Sequence, residues 1–405
     1  MRHLVRRREL LKYAGATALA APFVRAARAD AGIVKVGVVG AKTGPLAPGA
    51  AVTHFPPWKL WADQVNKAGG LKLKSGPAKV ELIEYDDRTQ PPEAIKAVER
   101  LVAVDKVDWI AGLYGTGFNV AAVPTFARLG YPQIPVACVT ELGPQLVKKY
   151  PLLFFGNGTL THYCLGTIDV LKKFRDSGQI GNKVAMVNIA DEYGIEISNI
   201  SKTEFPKAGF DIVYNKSYPL GTQDYAPVVK AAKATDPDAF IAWSYPPDTF
   251  GLTEQAKIEN FNVKFYFNGI GCAFPGFYGK FGGAAENVFG WGGVPHTPEA
   301  IAFYKMFKAG TGVDGDFNGS PLYYANNELL TQAIEAVGSM DREAIAAHIK
   351  SHTFKTILGE FDMRNQLLNR LYTVGQWQGP WFHAVAGVNY PASDYIQPKL
   401  KTSWA

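Results

Sequence analysis

Cysteine is scarce in this chain, and its few copies stand far apart. The 405 residues include only Cys138, Cys164 and Cys272. At most two of them can pair, and their spacing matches no metal-binding motif. We therefore interpret all three as small buried hydrophobic residues, and we expect no disulfide framework.

The chain also lacks the short motifs of common hydrolases. It has no G-x-S-x-G segment, and its seven histidines form no H-E-x-x-H pair. His348 and His352 are four residues apart and could share a helix face, but two ligands do not make a closed zinc site. We therefore predict no catalytic residues, no metal and no cofactor, and we interpret the protein as a non-enzyme.

Basic residues outnumber acidic residues only because of the first 29 positions. The chain has 42 basic and 36 acidic residues, of which seven basic residues and one acid lie in residues 1–29. The rest of the chain therefore has 35 of each. A neutral remainder does not support nucleic-acid binding, and we predict none.

The first 29 residues have the order of an export signal. A basic segment (6–12) precedes an apolar stretch (13–24), and Ala27-Arg28-Ala29 follows. This order predicts a secretory signal peptide that is removed after Ala29, and Arg7-Arg8 resembles a twin-arginine signal. The apolar part, about a dozen residues, is too short for a bilayer core of roughly 30 Å. We expect a periplasmic protein.

Strand-like and helix-like segments alternate through the rest of the chain. Apolar strands are predicted at 33–40, 79–87, 107–114 and 133–139, and a second series at 183–190, 211–219, 238–245 and 264–270. Helical patterns lie between them. Such alternation predicts an α/β fold with two units, each a parallel sheet covered by helices.

One glycine-containing loop, "GLYGTGFN" (112–119), lies between a predicted strand and a predicted helix. It lacks the third glycine of the dinucleotide fingerprint and the lysine of a phosphate loop, which disfavours nucleotide chemistry. Its amides, together with those of a helix that starts near Phe118, suit a carboxylate. The alternative is a tight turn that binds nothing.

Several dispersed segments resemble periplasmic solute-binding proteins of the branched-chain amino-acid-binding type, the receptor subunits of ABC importers. They are "VKVGVVGAKTGPLA" (34–47), "NKAGGLK" (66–72), "EYDDRTQPPEAIKAVERLV" (84–102), "DEYG" (191–194) and "SYPPD" (244–248). The resemblance covers roughly residues 32–380.

The resemblance implies two doubly wound lobes joined by three hinge crossings, with the ligand between them. We assign residues 30–156 and 294–363 to lobe I and residues 157–293 and 364–405 to lobe II. It also implies a monomer that works with a permease and an ATPase and binds a small carboxylate.

Carried over residue by residue, the resemblance implies that the ligand is bound by Thr116, Gly117, Val139, Thr140, Tyr193, Tyr245 and Gly271. Hydroxyls of Thr116 and Thr140 can hold a carboxylate with the loop amides. Tyr193 and Tyr245 can close over the ligand and exclude water.

The position of Gly271 departs from the family pattern. Amino-acid-binding members carry an acid there, which pairs with the ligand ammonium, and a buried ammonium without a counter-charge is costly. Either Asp248 replaces that acid, although it also suits a helix N-cap, or the ligand lacks an α-amino group. Phe118 and Phe274 would suit a flat apolar ligand. An amino acid and an aromatic acid or amide-type solute both remain open, as do a sensor domain and, as a class, an exported enzyme.

Overall fold

The computed structural model describes residues 32–368, 373–387 and 395–404. The signal peptide predicted at residues 1–29 lies outside them. Thirteen strands and thirteen α-helices alternate along the described part of the chain. The strands are β1 Gly32–Gly40, β2 Leu71–Leu73, β3 Gly76–Asp86, β4 Trp109–Ile110, β5 Lys183–Ile189, β6 Asp211–Tyr218, β7 Ala239–Trp243, β8 Phe265–Asn268, β9 Phe289–Trp291, β10 Thr353–Thr356, β11 Gly359–Asp362, β12 Thr373–Trp377 and β13 Phe382–Gly387.

Helices follow most of these strands, as the alternating pattern predicts. They are α1 Ala47–Thr53, α2 Phe55–Lys67, α3 Pro91–Arg100, α4 Thr116–Leu129, α5 Gly143–Lys149, α6 Leu160–Asp176, α7 Glu192–Lys207, α8 Ala226–Lys233, α9 Pro246–Ile258, α10 Pro275–Phe281, α11 Pro298–Thr311, α12 Gly319–Val337 and α13 Arg342–Ile349. Among the described helices, none is long and apolar enough to cross a membrane.

The strands form two main sheets. The first has the order β2-β3-β1-β4, and β1 runs parallel to both β3 and β4. The second has the order β13-β12-β9-β8-β7-β5-β6, with β5 to β9 parallel and β12 and β13 antiparallel at one edge. The predicted α/β fold with two doubly wound units is confirmed.

The chain passes between the two sheets three times. After β9 it returns to the first sheet, where α11 and α12 contact α2 and the Trp61 indole N–H donates to the Thr331 hydroxyl at 2.7 Å. It passes back after the β10–β11 hairpin, because β12 pairs with β9.

The strand predicted at 133–139 is wrong in its extent. This segment forms only isolated parallel bridges, from Gln133 to Leu153 and from Ala137 to Tyr114. Pro135 lies in its middle and has no amide hydrogen to donate to a ladder. The segment nevertheless runs beside Tyr114, so that residues 136–139 reach the edge of the first sheet where a ligand would bind.

Candidate functional site

A cavity lies between the two sheets, beyond the carboxyl ends of their parallel strands. It holds about 710 Å³ of space that no atom fills, part of it open to solvent. Open α/β sheets bind ligands at this end of the strands. The lining comes from both sheets: Thr53, Tyr114, Gly115, Thr116, Val136, Ala137, Cys138, Val139, Asn157, Tyr163, Tyr193, Tyr245, Ile270, Gly271, Ala273, Phe274, Asp316, Asn318, Gly319, Leu322 and Tyr323.

Helix α4 begins at this cavity with uncapped amides. Its N-cap is Gly115, with φ of 105°, and no side chain caps it. The first amides of a helix have no partner inside the helix, so those of Thr116, Gly117 and Phe118 are open to an anion. The helix dipole adds a partial positive charge at the same point.

Three other helices that begin near the cavity are capped by aspartates. Asp191 accepts a hydrogen bond from the Gly194 amide at the start of α7, and Asp248 accepts one from the Tyr245 amide at the start of α9. Asp316 accepts from the amides and the hydroxyl of the first residues of α12. The positive ends of these three helices are therefore already neutralised, whereas that of α4 is not.

The Thr116 hydroxyl is engaged with the neighbouring loop. It donates to the Val139 carbonyl at 3.3 Å and accepts from the Val139 amide at 3.2 Å. Its one hydrogen is therefore committed to the protein. Thr116 joins the two loops beside α4, and the helix amides, more than this hydroxyl, are placed to hold a carboxylate.

Tyr193 and Tyr245 form one wall of the cavity. Their ring centroids are 5.2 Å apart with an angle of 33° between the planes. The Tyr245 hydroxyl donates to the Asp191 carboxylate at 2.8 Å. The Tyr193 hydroxyl is buried and has no hydrogen-bond partner among the described residues. Burial, and then the charge of Asp191, raise the pKa of both phenols well above the usual value, so both stay neutral.

Tyr323 lines the cavity, and the buried His54 lies behind it. His54 Nε2 lies 3.0 Å from the Val39 carbonyl and Nδ1 lies 3.0 Å from the Tyr323 hydroxyl. A carbonyl can only accept, so Nε2 carries the hydrogen and Nδ1 accepts from Tyr323. Burial lowers the pKa of His54 from 6.5 to about 4, which keeps the ring neutral.

No carboxylate is free to pair with a ligand ammonium in this cavity, as far as the described residues go. Gly271 lines it with φ of +98°, and a Cβ there would lie 2.6 Å from Pro246 Cα. An acid at this position would therefore require the backbone to move. Asp316, the acid in the lining, accepts the hydrogen bonds that begin α12.

The structure places Asp248 behind the wall, outside the lining. Its carboxylate accepts from the Tyr245 amide at 3.2 Å and from the Tyr225 hydroxyl at 3.0 Å. Burial raises its pKa to about 6, because the charged form loses water. The sequence suggested Asp248 as a helix N-cap. The N-cap of α9 is instead Tyr245, and Asp248 lies in the first turn of the helix, where its carboxylate accepts from the Tyr245 amide.

A family model described as periplasmic binding protein matches residues 33–380. The chain belongs to the periplasmic binding protein family. An "amino acid binding protein" of Pseudomonas aeruginosa is 24% identical, over 85% of this chain and 90% of its own. A "leucine-, isoleucine-, valine-, threonine-, and alanine-binding protein" of the same species is also 24% identical, over 85% of this chain and 90% of its own.

Several solved structures share the fold of this chain. A leucine-binding protein of Thermotoga maritima superposes with a TM-score of 0.72 at 20% identity, over 89% of this chain and 99% of that one. A solute-binding protein of R. palustris in complex with 4-hydroxybenzoate superposes with a TM-score of 0.72 at 21% identity, and the match covers 92% of this chain and 98% of that one. At such identities the likeness establishes the periplasmic binding protein fold alone.

Most of the residues that the resemblance selected are brought together in this binding-protein cleft. Thr116, Val139, Tyr193, Tyr245, Gly271 and Phe274 all line the cavity. Gly117 and Phe118 lie in the first turn of α4 beside it without belonging to the lining.

Thr140 is not part of this lining. It lines a neighbouring groove together with His162 and Arg364, and its hydroxyl accepts from the Leu142 amide at 3.1 Å. The structure therefore does not place the Thr140 hydroxyl beside that of Thr116 to hold one carboxylate.

Sequence reasoning missed seven polar or aromatic lining residues: Thr53, Tyr114, Asn157, Tyr163, Asp316, Asn318 and Tyr323. Tyr114 stands inside the quoted glycine loop, so its place directly after a strand was a usable signal. Tyr323 lies within α12, nearly 270 residues from the His54 that it contacts. No local pattern indicates such a pairing. Among the described residues, no group of three or more His, Cys, Asp or Glu could hold a metal.

Proposed function

We propose that this protein is the receptor subunit of an ABC importer that captures a small carboxylate-bearing solute in the periplasm. The observation that carries this proposal is the uncapped start of α4 at a cavity lined from both lobes. The named binding functions of the two Pseudomonas aeruginosa relatives support it.

The ligand carboxylate would accept hydrogen bonds from the Gly117 and Phe118 amides at the start of α4. Hydrogen bonds to a charged group are worth about 1.5–3 kcal/mol each. The helix dipole adds about 0.3–1 kcal/mol, or up to ~2 kcal/mol when partly buried. These groups compensate for the absence of basic side chains from the cavity lining.

Gly117 offers a direct test of the amides. A Cβ on Gly117 would make only ordinary contact, 3.7 Å from Glu192 Cβ, and its φ is not positive. Gly117→Ala therefore keeps the N–H, whereas Gly117→Pro removes it at a position in the first helical turn where proline is tolerated. Carboxylates that raise the melting point in a thermal-shift screen are then titrated by calorimetry.

The expected result is a loss of about tenfold or more in carboxylate affinity for Gly117→Pro, with Gly117→Ala close to the parent. Equal affinity of the proline variant and the alanine control would show that the α4 amides do not bind the ligand. A screen in which no carboxylate stabilises the protein would reject the proposed function.

Capture would close the two lobes about the three crossings, with lobe I as residues 30–156 and 294–363 and lobe II as 157–293 and 364–405. The structure has the lobes in contact: α4 contacts α7, and the Glu141 amide donates to the Glu196 carboxylate at 3.0 Å. A ligand-free protein with these contacts broken should show a larger radius of gyration in solution scattering than the ligand-bound one. Identical curves at saturating ligand would contradict closure.

Export would use residues 1–29, and the receptor would act as a monomer that delivers the solute to a permease and ATPase. Replacing Arg7 and Arg8 by lysine should leave the precursor in the cytoplasm if the twin-arginine route is used. Normal periplasmic yield of that variant would exclude this route.

A further inference from the structure

We infer that the carboxyl group of Glu196 couples lobe closure to proton uptake: it accepts a hydrogen bond from lobe I when the cleft closes on the ligand, and it takes up a proton as it does so. This inference rests on the proposed function and specifies how ligand capture responds to pH.

The loop around Glu141, in lobe I, is bonded to lobe II in both directions. The Glu141 amide donates to Glu196 Oε1 in α7 at 3.0 Å, and the Glu141 carboxylate accepts from the Thr161 amide in the first turn of α6 at 2.6 Å. Helix α6 has no side-chain cap of its own, so Glu141 satisfies one of its first amides from the opposite lobe. Both hydrogen bonds cross the cleft and therefore exist only while the lobes are in contact.

Closure brings three carboxylates together at this point. Glu192 and Glu196 lie four residues apart on one face of α7, and Glu141 comes from the opposite lobe. Of the residues that the structure describes, no basic side chain forms an ion pair with any of the three. Like charges at this helical spacing repel, and the third carboxylate adds to the repulsion when the lobes close.

Glu196 is the member of this group that gains most from a proton. Its second oxygen, Oε2, is buried and has no hydrogen-bond partner among the described residues. Burial raises the pKa of Glu196 above its usual value of 4.5, and the charges of Glu141 and Glu192 raise it as well, although the Thr140 hydroxyl and the Glu141 amide act in the opposite direction. In an open cleft the carboxylate would regain water and lose the neighbouring charge of Glu141.

The elements packed against α7 do not supply a counter-charge to Glu196. Helix α4 carries no charged side chain before Arg128 in its last turn. The Cys138 thiol, which precedes the loop, stays neutral because burial raises its pKa. His162 of α6 bonds the Thr159 hydroxyl, and no basic group of α6 or of the strands under α7 is among the main groups that shift the pKa of Glu196.

The ligand itself adds to the crowding of negative charge. Glu192 lies beside the start of α4, where a Cβ on Gly117 would be 3.7 Å from the Glu192 Cβ. A ligand carboxylate bound at the start of α4 brings a further negative charge to the same place. Binding should therefore favour the protonated form of Glu196, and by reciprocity a proton on Glu196 should favour binding.

The sign of the pH dependence follows from the raised pKa. A group whose pKa is higher in the closed, ligand-bound form takes up a proton on closure. Ligand affinity should therefore rise as pH falls through the raised pKa of Glu196, and the rise should level off below its usual value of 4.5.

Calorimetry on Glu196→Gln tests the inference, because glutamine keeps an acceptor for the Glu141 amide and removes the charge. L-Leucine, 4-hydroxybenzoate and any other carboxylate that the thermal-shift screen selects are titrated at pH 8 and at pH 5. The parent should bind its ligand about threefold or more tightly at pH 5 than at pH 8, and the variant should show a clearly smaller difference. Glu204→Gln, on the same helix but paired with Lys207, is the matched control and should follow the parent.

Glu196→Ala tests the hydrogen bond across the cleft. At pH 5 this variant should release the ligand about three- to tenfold faster than the parent in stopped-flow measurements, because the Glu141 amide loses its acceptor in the closed form. The melting temperature of the ligand-free variant should stay close to that of the parent, whereas a merely structural role of Glu196 would lower it.

Equal pH dependence of affinity in the parent and Glu196→Gln would overturn the inference, as would an unchanged release rate in Glu196→Ala. If no carboxylate binds, the proposed function fails on its own screen, and solution scattering of the ligand-free protein decides the inference instead. A radius of gyration that is smaller at pH 5 than at pH 8 in the parent, but not in Glu196→Gln, would support the coupling. The same pH response in both proteins, or none in either, would overturn it.

Discussion

The buried imidazole of His54 makes the stability of the folded protein depend on pH, and one substitution measures this dependence. Burial lowers the pKa of His54 in the folded protein to about 4, against 6.5 for an exposed imidazole. Above about pH 6.5 the ring is neutral in both states and costs nothing. As pH falls below 6.5, the unfolded chain takes up a proton that the folded protein refuses, and the folded state loses stability until pH reaches about 4. A shift of this size corresponds to about 3 kcal/mol.

The substitution His54→Gln removes this proton uptake. The free energy of unfolding, measured by urea denaturation between pH 4 and pH 7.5, should fall less steeply toward acid in the variant than in the parent. The difference between the two curves should change by about 3 kcal/mol over this range, whatever the variant loses at pH 7.5. Contributions from Asp87 and Asp248, whose pKa burial raises to about 6, occur in both proteins and cancel.

His162→Gln is the matched control, because His162 is only partly buried and bonds a nearby threonine hydroxyl. If the free energy of unfolding changes with pH in the same way in the parent and in His54→Gln, the assignment of a neutral, desolvated His54 is refuted. Such a result would also remove the reason for fixing the Tyr323 hydroxyl as a donor to Nδ1.

Three further predictions concern the cavity lining and the acid behind it. Thr116→Val should lower the free energy of unfolding by about 1–3 kcal/mol, because the Val139 amide and carbonyl lose the hydroxyl that they share. Thr116→Ser keeps a hydroxyl and should restore the stability. An unchanged midpoint of urea denaturation in Thr116→Val would contradict these hydrogen bonds. Gly271→Ala should destabilise the protein by at least about 1–3 kcal/mol, because φ of +98° disfavours a side chain and the Cβ meets Pro246 Cα. Gly276→Ala, where a Cβ meets nothing within 4 Å, should cost far less, and equal losses would refute the argument. Asp248→Asn should lower stability less at pH 7.5 than at pH 4.5. At pH 7.5 the folded parent must hold a buried, ionised carboxylate whose pKa is raised to about 6, and this cost is absent from the variant. Urea denaturation at the two pH values measures the difference.

The site illustrates how separate residues share one function. Helix α4 begins without a side-chain cap, whereas Asp191 accepts from the first turn of α7 and from the Tyr245 hydroxyl, and Asp248 accepts from the Tyr245 amide at the start of α9. A change to either acid would therefore affect both a helix start and the ligand wall.

The sequence by itself determined the order of strands and helices, the two-unit α/β fold and the loop at residues 112–119. These features depend on local signals: the period of apolar residues, and glycines or prolines at the ends of segments. The same signals misjudged residues 133–139, where Pro135 interrupts a pattern that otherwise suits a strand.

Only the tertiary structure decided how the walls of the cavity are completed. Tyr323 meets His54 because α12 packs against α1 and α2. Tyr245 meets Asp191, 54 residues away along the chain, because β5 and β7 end at the same edge of their sheet. It also decided that the hydrogens of Thr116 and Tyr245 are committed to the protein, and that Gly271 is required by its backbone. Hydrogen-bond direction and backbone angle depend on neighbours that are distant in sequence, so no local pattern contains them.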